Sequence, residues 1–220
     1  MLVRARHQTV DRHRRLLNEA EPLLTELPAH LADRLPGGSK TGPRLAAAAR
    51  LRSTGERATD LRLRLLRIQA REERALAQQR DDLEHQIVQV LKELGSSLPA
   101  LFGLGPLGAA ELLAEVGDPR RFRSADAFAS YTGTAPIPAS SAEPRGQPIH
   151  HRLSRYGNRR LNSVLHIMAV TRLRIDSETQ AFIAGAVKRG KTRRDALRIV
   201  KRRLARLAWT TMMRDMPRTP

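Results

Sequence analysis

A glycine-rich turn at residues 102–106 is the first stretch of this sequence whose residue types suit ligand binding. Gly103 and Gly105 leave the turn without side-chain bulk, and Pro106 suits the first turn of a helix, where its missing N–H costs nothing. The N–H groups at such a helix start can hold a phosphate. The spacing predicts a helix-hairpin-helix over residues 98–117, which binds nucleic-acid backbone without reading sequence. A tight turn between two helices, with no ligand, is the alternative.

Basic residues follow this turn in unusual density. Arg120, Arg121 and Arg123 come directly after the predicted helix, and we expect them beside the same phosphates. Residues 145–206 contain seventeen Lys or Arg and only three acidic residues, a bias that is costly by self-repulsion unless a polyanion neutralises it. The further phosphate-binding candidates are Arg145, Arg152, Arg155, Arg159, Arg160, Arg193, Arg194, Lys201 and Arg202. A solvated basic face is the alternative.

The composition of the 220-residue chain also indicates nucleic-acid binding. Its formal net charge is +18, which predicts attraction to nucleic acid, whereas 3% aromatic residues are too few for base-stacking platforms. The absence of cysteine excludes disulfides and thiolate metal sites, and the seven histidines show no metal-binding spacing. No apolar run is long enough for a membrane span and no signal core is present, so we expect a cytoplasmic protein without membrane contact.

The elements that must position these residues are predicted to be helical. Ala and Leu dominate the apolar positions, which favours a mainly α fold. Residues 1–27 form a first helix, and residues 28–43, rich in Pro and Gly, a connection. Residues 58–94 form one long helix with near-heptad apolar spacing that includes Leu61, Leu65 and Ile68. We therefore predict a coiled-coil-like region over 1–94 that makes a homo-oligomer; a helix packed on its own domain is the alternative.

A second helical domain is predicted over residues 95–220. Ser124 is expected to cap a short helix through Tyr131, and residues 134–154 form a long proline-containing loop or a short irregular hairpin. Basic helices follow over 158–213, with Asn158 as a cap. The last of them turns Leu197, Val200, Leu204, Leu207, Ala208 and Thr211 inward.

Several separate motifs of this second domain resemble one known family. The stretch GLGPLGAAELLAEVGDPRRFRSADAFASYTGTAPIPASS, the later RG, the stretch RLSRYGNRRLN and a basic C-terminal helix resemble the C-terminal domain of transposases of the insertion sequence 110/116/902 family. The resemblance covers roughly residues 98–215. It implies DNA and a guide RNA as partners. It also implies a RuvC-like domain with acidic metal ligands, which no part of this sequence resembles, so Mg²⁺ is expected only together with that domain and no cofactor in this chain.

The resemblance also assigns a nucleophile. In the family, a serine that ends the proline-containing loop attacks the DNA phosphodiester, and the matching residue here is Ser141, with Ser140 as a second candidate. Ala142 replaces the glycine that usually follows. A serine hydroxyl needs a base, a metal or a cluster of cations to attack at neutral pH, and no recognisable triad surrounds these serines. Without the resemblance, the two serines would be interpreted as part of an ordinary turn.

The expected function is DNA binding, transposition and recombination as the C-terminal part of a transposase. We expect this chain alone to bind DNA without cleaving it. The alternative is a non-catalytic nucleic-acid-binding and dimerising module. A purely structural coiled-coil protein would leave the excess of cations unexplained.

Overall fold

Helices account for nearly all the regular structure of this protein. The computed structural model describes residues 1–138, 151–153 and 157–217, and within them it contains nine α-helices, two short 3-10 helices and one pair of three-residue strands. The predicted mainly α fold is therefore confirmed. The chain divides into two compact units, Met1–Gln86 and Ile87–Pro220, and the division falls inside the longest helix.

The first unit is built from α1 (Leu2–Thr25), α2 (Ala29–Ala32), α3 (Thr41–Ala48) and most of α4 (Arg57–Glu93). Its core includes the fully buried side chains of Leu24, Leu45, Leu63 and Leu66. The prediction of a plain connection over 28–43 is wrong, because α2 and the start of α3 lie there. Glu21 of α1 accepts hydrogen bonds from Thr41 and Arg44, both at 2.7 Å, and so fixes the first turn of α3.

The long helix α4 has two apolar faces. Leu63, Leu66 and Ala70 are buried in the core of the first unit, as in the prediction of a helix packed on its own domain. The predicted near-heptad seam is divided: its first residues Leu61, Leu65 and Ile68 lie on another face and are 55%, 41% and 52% exposed, whereas Leu76 and Ile87 further along it are buried. One apolar face thus stabilises the unit and the other stays accessible to solvent, so the coiled-coil partner remains a prediction.

The second unit contains five α-helices: α5 (Gly105–Val116), α6 (Ala125–Tyr131), α7 (Arg159–Ile175), α8 (Ser177–Lys188) and α9 (Arg193–Asp215). Short 3-10 helices lie at Leu98–Ala100 and Pro119–Arg121. Strands β1 (Pro136–Pro138) and β2 (His151–Leu153) pair antiparallel, with Pro136 opposite Leu153 and Pro138 opposite His151. The ends of the predicted proline-containing loop are therefore the two strands of a hairpin.

Local cap chemistry explains where α6 and α7 begin. The Ser124 hydroxyl accepts a hydrogen bond from Ala127 N at 3.2 Å, and the Asn158 side chain accepts from the backbone N–H groups of Arg160 and Leu161. Each cap satisfies donors that a helix start otherwise leaves unpaired. The predicted N-caps and the short helix through Tyr131 are confirmed.

Helix α9 is the central element of the second unit, because α6, α7 and α8 all pack against it. Val200, Leu204 and Ala208 are buried as predicted. Because helices contact α9 from several sides, Lys201 is buried too. Leu207, in contrast, is 37% exposed. The prediction that Leu207 points inward is wrong. Beyond the buried face of α9, the Trp209 indole donates to the carbonyl of Pro119 at 3.1 Å.

No helix in the described part of the chain has an apolar stretch long enough to cross a bilayer.

Candidate nucleic-acid interface

The glycine turn before α5 lies against the second half of α7. Gly103 has a φ of +83°, and a Cβ placed there would lie 3.1 Å from the carbonyl oxygen of Met168. Arg172 Nε donates to the carbonyl of Phe102 at 2.9 Å and its guanidinium stands over the Phe102 ring. Glycine is therefore favoured at position 103 by a close helix contact as well as by the turn. Gly105 has a φ of +65° and no atom within 4 Å of an added Cβ, and the element before this turn is the 3-10 helix Leu98–Ala100.

The arginines that follow α5 lie far from this turn. Helix α5 has 12 residues, and at 1.5 Å per residue it separates the glycine turn from the start of the Arg120 segment by about 18 Å. Gly117, with a φ of +63°, ends the helix there. The prediction that Arg120, Arg121 and Arg123 lie beside the same phosphates as the glycine turn is wrong, because α5 carries the chain away from it.

Glu115 instead joins Arg121, which donates to the Glu115 backbone carbonyl at 3.5 Å, to the start of α7 through the contacts of the Glu115 side chain. Its carboxylate accepts from Asn158 Nδ2 at 2.6 Å and from Arg160 Nη1 at 3.0 Å, and its backbone carbonyl accepts from the Tyr131 hydroxyl at 3.3 Å. Arg121 stands over the rings of Phe122 and Tyr131, at 4.6 and 4.7 Å from the ring centroids. The end of α5, the end of α6 and the start of α7 thus meet at one basic corner of the second unit.

The candidate phosphate-binding arginines fall into two groups. In the first, a carboxylate of the protein itself holds the guanidinium: Asp118 with Arg120, Glu115 with Arg160, and Asp126 with Arg202. Hydrogen bonds from Arg120 and Arg202 hold the pKa of Asp118 and of Asp126 below the ordinary value of an aspartate. A phosphate must compete with these carboxylates.

The second group consists of exposed candidate arginines that form no ion pair and, unlike Arg121, do not stand over aromatic rings within the part of the chain that the structure describes. Its members are Arg123, Arg159, Arg193 and Arg194. Arg159 directly follows the Asn158 cap, and Arg193 and Arg194 begin α9. These guanidinium groups can bind phosphate without first losing a protein partner, so they are the residues best suited to contact a nucleic-acid backbone.

Lys201 differs from both groups because it lies inside the unit. It is 5% exposed, and its Nζ donates to Asn162 Oδ1 at 2.6 Å. Burial, and secondarily the charge of Arg198, lower the pKa of Lys201 below its ordinary value. The sequence places Lys201 among surface cations, and its burial becomes visible only once α7 packs against α9. Asn162 is a residue that the sequence reasoning missed.

The candidate nucleophiles Ser140 and Ser141, with Arg145 and Arg155, lie outside the described residues, and Arg152 belongs to strand β2. The chain segments on either side of the hairpin are joined by hydrogen bonds. Asn158 N donates to the carbonyl of Tyr131 at 2.8 Å, and Asn162 Nδ2 donates to the carbonyls of Thr132 and Gly133, both at 3.0 Å. We call residues 131–134 and 157–162 the hairpin base. Among the described residues, no three His, Asp or Glu side chains cluster as metal ligands.

Comparison with known proteins finds a family that part of the second unit resembles. Residues 96–184 match the model of the transposase IS116/IS110/IS902 family. These residues are thus similar to a domain of that transposase family. The matched residues cover the glycine turn, α5, α6, the hairpin, α7 and most of α8, whereas α9 lies beyond them although it packs into the same unit.

Two curated relatives carry names from the same insertion elements. One is the insertion element IS110 uncharacterized 43.6 kDa protein of Streptomyces coelicolor, which is 35% identical over 64% of this chain and 34% of its own length. The other is the insertion element IS116 uncharacterized 44.8 kDa protein of Streptomyces clavuligerus, 32% identical over 56% of this chain and 29% of its own length. The match thus spans about a third of each of these two relatives.

Proposed function

We propose that this chain binds DNA through the basic surface of its transposase unit and takes part in DNA transposition, with Ser141 attacking a DNA phosphodiester. The observation that supports this best is the set of exposed arginines without an acidic partner among the described residues, Arg123, Arg159, Arg193 and Arg194. Arg159 lies within the hairpin base, and the chain between the two parts of that base contains Ser140 and Ser141.

The proposed chemistry is a nucleophilic displacement at phosphorus. The Ser141 hydroxyl gives up its proton as its oxygen forms a bond to phosphorus, the bond from phosphorus to one deoxyribose oxygen breaks, and that leaving oxygen takes up a proton, so the step consumes no net proton. Arginines beside the phosphate stabilise the negative charge that develops on it. The family resemblance assigns Mg²⁺ and its acidic ligands to a separate RuvC-like domain, and a guide RNA to the choice of target.

The DNA-binding part is tested by the salt dependence of affinity for a fluorescently labelled duplex. The variant Arg159→Ala/Arg193→Ala/Arg194→Ala removes three unpaired cations. If all three contact phosphate, the slope of log K against log salt falls in magnitude by about 0.9 for each, or roughly 2.7 in total. The matched control, Arg64→Ala/Arg71→Ala/Arg74→Ala, removes the same charge from exposed positions of α4. Equal slopes for the two variants would contradict a localised interface.

The nucleophile is tested by covalent trapping. The chain is incubated with labelled nicked DNA, Mg²⁺, guide RNA and a RuvC-like domain taken from a relative, and the labelled protein adduct is measured. We expect the adduct to disappear in Ser141→Ala and to persist in Ser140→Ala, with DNA affinity kept in both. The reverse pattern would assign the reaction to Ser140. Tight, salt-sensitive binding with no adduct would favour the non-catalytic binding module, and cleavage by the purified chain alone would contradict the need for a second domain.

A further inference from the structure

The buried cation of the second unit is held by an amide. Lys201 Nζ lies 2.6 Å from Asn162 Oδ1, and no carboxylate of the described residues forms an ion pair with it. A buried charge is costly unless its hydrogen bonds are satisfied, so a lysine kept at this position implies a specific task for its donor groups. Exposure of 5% leaves little room for Lys201 to contact DNA phosphate.

This hydrogen bond fixes the orientation of the Asn162 side chain. An ammonium group can only donate, so it must face the amide oxygen and not the amide nitrogen. With Oδ1 held by Lys201, the Nδ2 group faces the carbonyls of Thr132 and Gly133, which it contacts at 3.0 Å each. Lys201 thereby determines which end of Asn162 meets the hairpin base.

The two sides of the hairpin base meet beside these carbonyls. A Cβ on Gly157 would lie 2.3 Å from Gly133 Cα, so the two glycine backbones are in direct contact. On one side Thr132 and Thr134 are buried and share a hydrogen bond between their hydroxyls at 3.0 Å. On the other, Asn158 N donates to Tyr131 O at 2.8 Å. Asn162 therefore acts on the place where both strands of the hairpin leave the helical core.

We propose that Lys201 and Asn162 are positioning residues, which hold the hairpin base and so set the serine-bearing segment in place for attack on phosphate. The inference rests on the proposed function for its catalytic part. It gives Lys201, a cation expected from sequence to contact DNA, a role inside the protein.

Amide hydrogen exchange tests the structural part in the full chain, without DNA. Lys201→Met keeps side-chain length and removes the donor, so Asn162 loses its fixed orientation. We expect the Asn158 and Thr134 amides to exchange on the order of tenfold faster or more, while amides in the middle of α5 and α8 keep their rates. Arg206→Met is the matched control, because it removes an exposed cation of the same helix that has no contact with Asn162. Unchanged exchange at Asn158 in Lys201→Met would overturn the proposal.

A double-mutant cycle separates coupling from simple loss of packing. Asn162→Ala should raise Asn158 exchange by itself, and Lys201→Met in that background should add little, because the shared bond is already absent. Independent, multiplicative effects of the two substitutions would contradict a coupled pair. Asn162→Ala also serves as a second route if Lys201→Met lowers the yield of folded protein.

The covalent-trapping assay tests the catalytic part. We expect Lys201→Met to slow adduct formation on the order of tenfold or more, with DNA affinity and its salt slope unchanged. A reduced salt slope would instead show that Lys201 contacts phosphate. Faster exchange with unchanged adduct formation would also overturn the positioning role. If wild-type protein forms no adduct, the role of Ser141 fails, and the exchange experiment still measures the coupling of Lys201 to the hairpin base.

Discussion

Single residues at the hairpin base control how closely its two sides approach. An added methyl group on Gly157 would meet backbone atoms of Gly133 at 2.3 and 2.4 Å, and backbone cannot move aside as a flexible side chain can. Gly190 offers the opposite case, a φ of +83° with open space around it. Gly157 is therefore required because a side chain would clash, whereas Gly190 is favoured only because of its backbone conformation.

Gly157→Ala should accordingly destabilise the protein by about 3 kcal/mol or more through overpacking. Gly190→Ala should cost only about 1 kcal/mol, because it forces an alanine into a left-handed conformation without a clash. Urea unfolding followed by circular dichroism measures both. Equal losses would show that the contact between Gly157 and Gly133 is relieved at little cost.

The caps of α6 and α7 give a second comparison between residues. Ser124→Ala removes a cap alone and should cost about 1 kcal/mol. Asn158→Ala removes a cap and also the hydrogen bond from Nδ2 to the Glu115 carboxylate, so we expect about twice that loss in the same unfolding experiment. A smaller loss for Asn158→Ala than for Ser124→Ala would contradict the structural importance of the Glu115 contact.

Residue-level predictions from sequence succeeded where the chemistry is local. The caps Ser124 and Asn158 act on backbone groups within three residues, so their roles are readable without the fold. The burial of Lys201 depends on a residue 39 positions earlier, Asn162, and on the packing of α7 against α9. No pattern within α9 alone carries that information.

At the scale of elements, helix α4 likewise has features that the sequence predicts and features that depend on the fold. Its near-heptad spacing and freedom from Gly and Pro predicted residues 58–94, and the helix observed is Arg57–Glu93. Which apolar face packs in its own unit was not predictable, because Leu63 and Leu66 interleave with Leu61 and Leu65. Likewise α3 was missed, since its first turn contains Gly42 and Pro43 and depends on hydrogen bonds to Glu21 of another helix.

The exposed face of α4 makes the predicted homo-oligomer testable. Leu65 is 41% exposed, so Leu65→Lys should leave the monomer folded while weakening any self-association that buries this face. Sedimentation equilibrium measures the change, with Gln78→Lys as a control that adds the same charge at an exposed polar position of the helix. Identical association of both variants would exclude the face of Leu61, Leu65 and Ile68 as the contact.

At the scale of the whole molecule, the net charge is +18, so the carboxylates are outnumbered by cations. Carboxylates that pair with these cations or accept hydrogen bonds therefore contribute to the stability of the folded protein. The pKa is lowered for Asp118, Asp126 and Asp195, in each case chiefly by a side-chain hydrogen bond, from Arg120, Arg202 and Thr192 respectively. A lowered pKa in the folded state means that the native protein binds fewer protons than the unfolded chain. The stabilisation is therefore complete above the ordinary aspartate pKa of 3.8 and is lost as the pH falls through the lowered values.

We therefore expect the urea midpoint to fall as the pH is lowered from 5 toward 2, and Asp126→Asn to make that fall shallower. Added salt should restore part of the lost stability at low pH, because screening reduces repulsion among the unpaired cations. The midpoint is measured by circular dichroism at each pH with and without salt. A midpoint independent of pH across this range would contradict a role for these carboxylates.

Trp209 gives the protein an optical probe of its own. It is the single tryptophan of the chain, and its indole is bonded to the carbonyl of Pro119, one residue before Arg120. Intrinsic emission therefore originates from one site, beside the segment that joins the end of α5 to α6. A ligand that moves this segment will shift the emission of the unlabelled protein, whereas one bound at the glycine turn, at the other end of α5, will leave it unchanged.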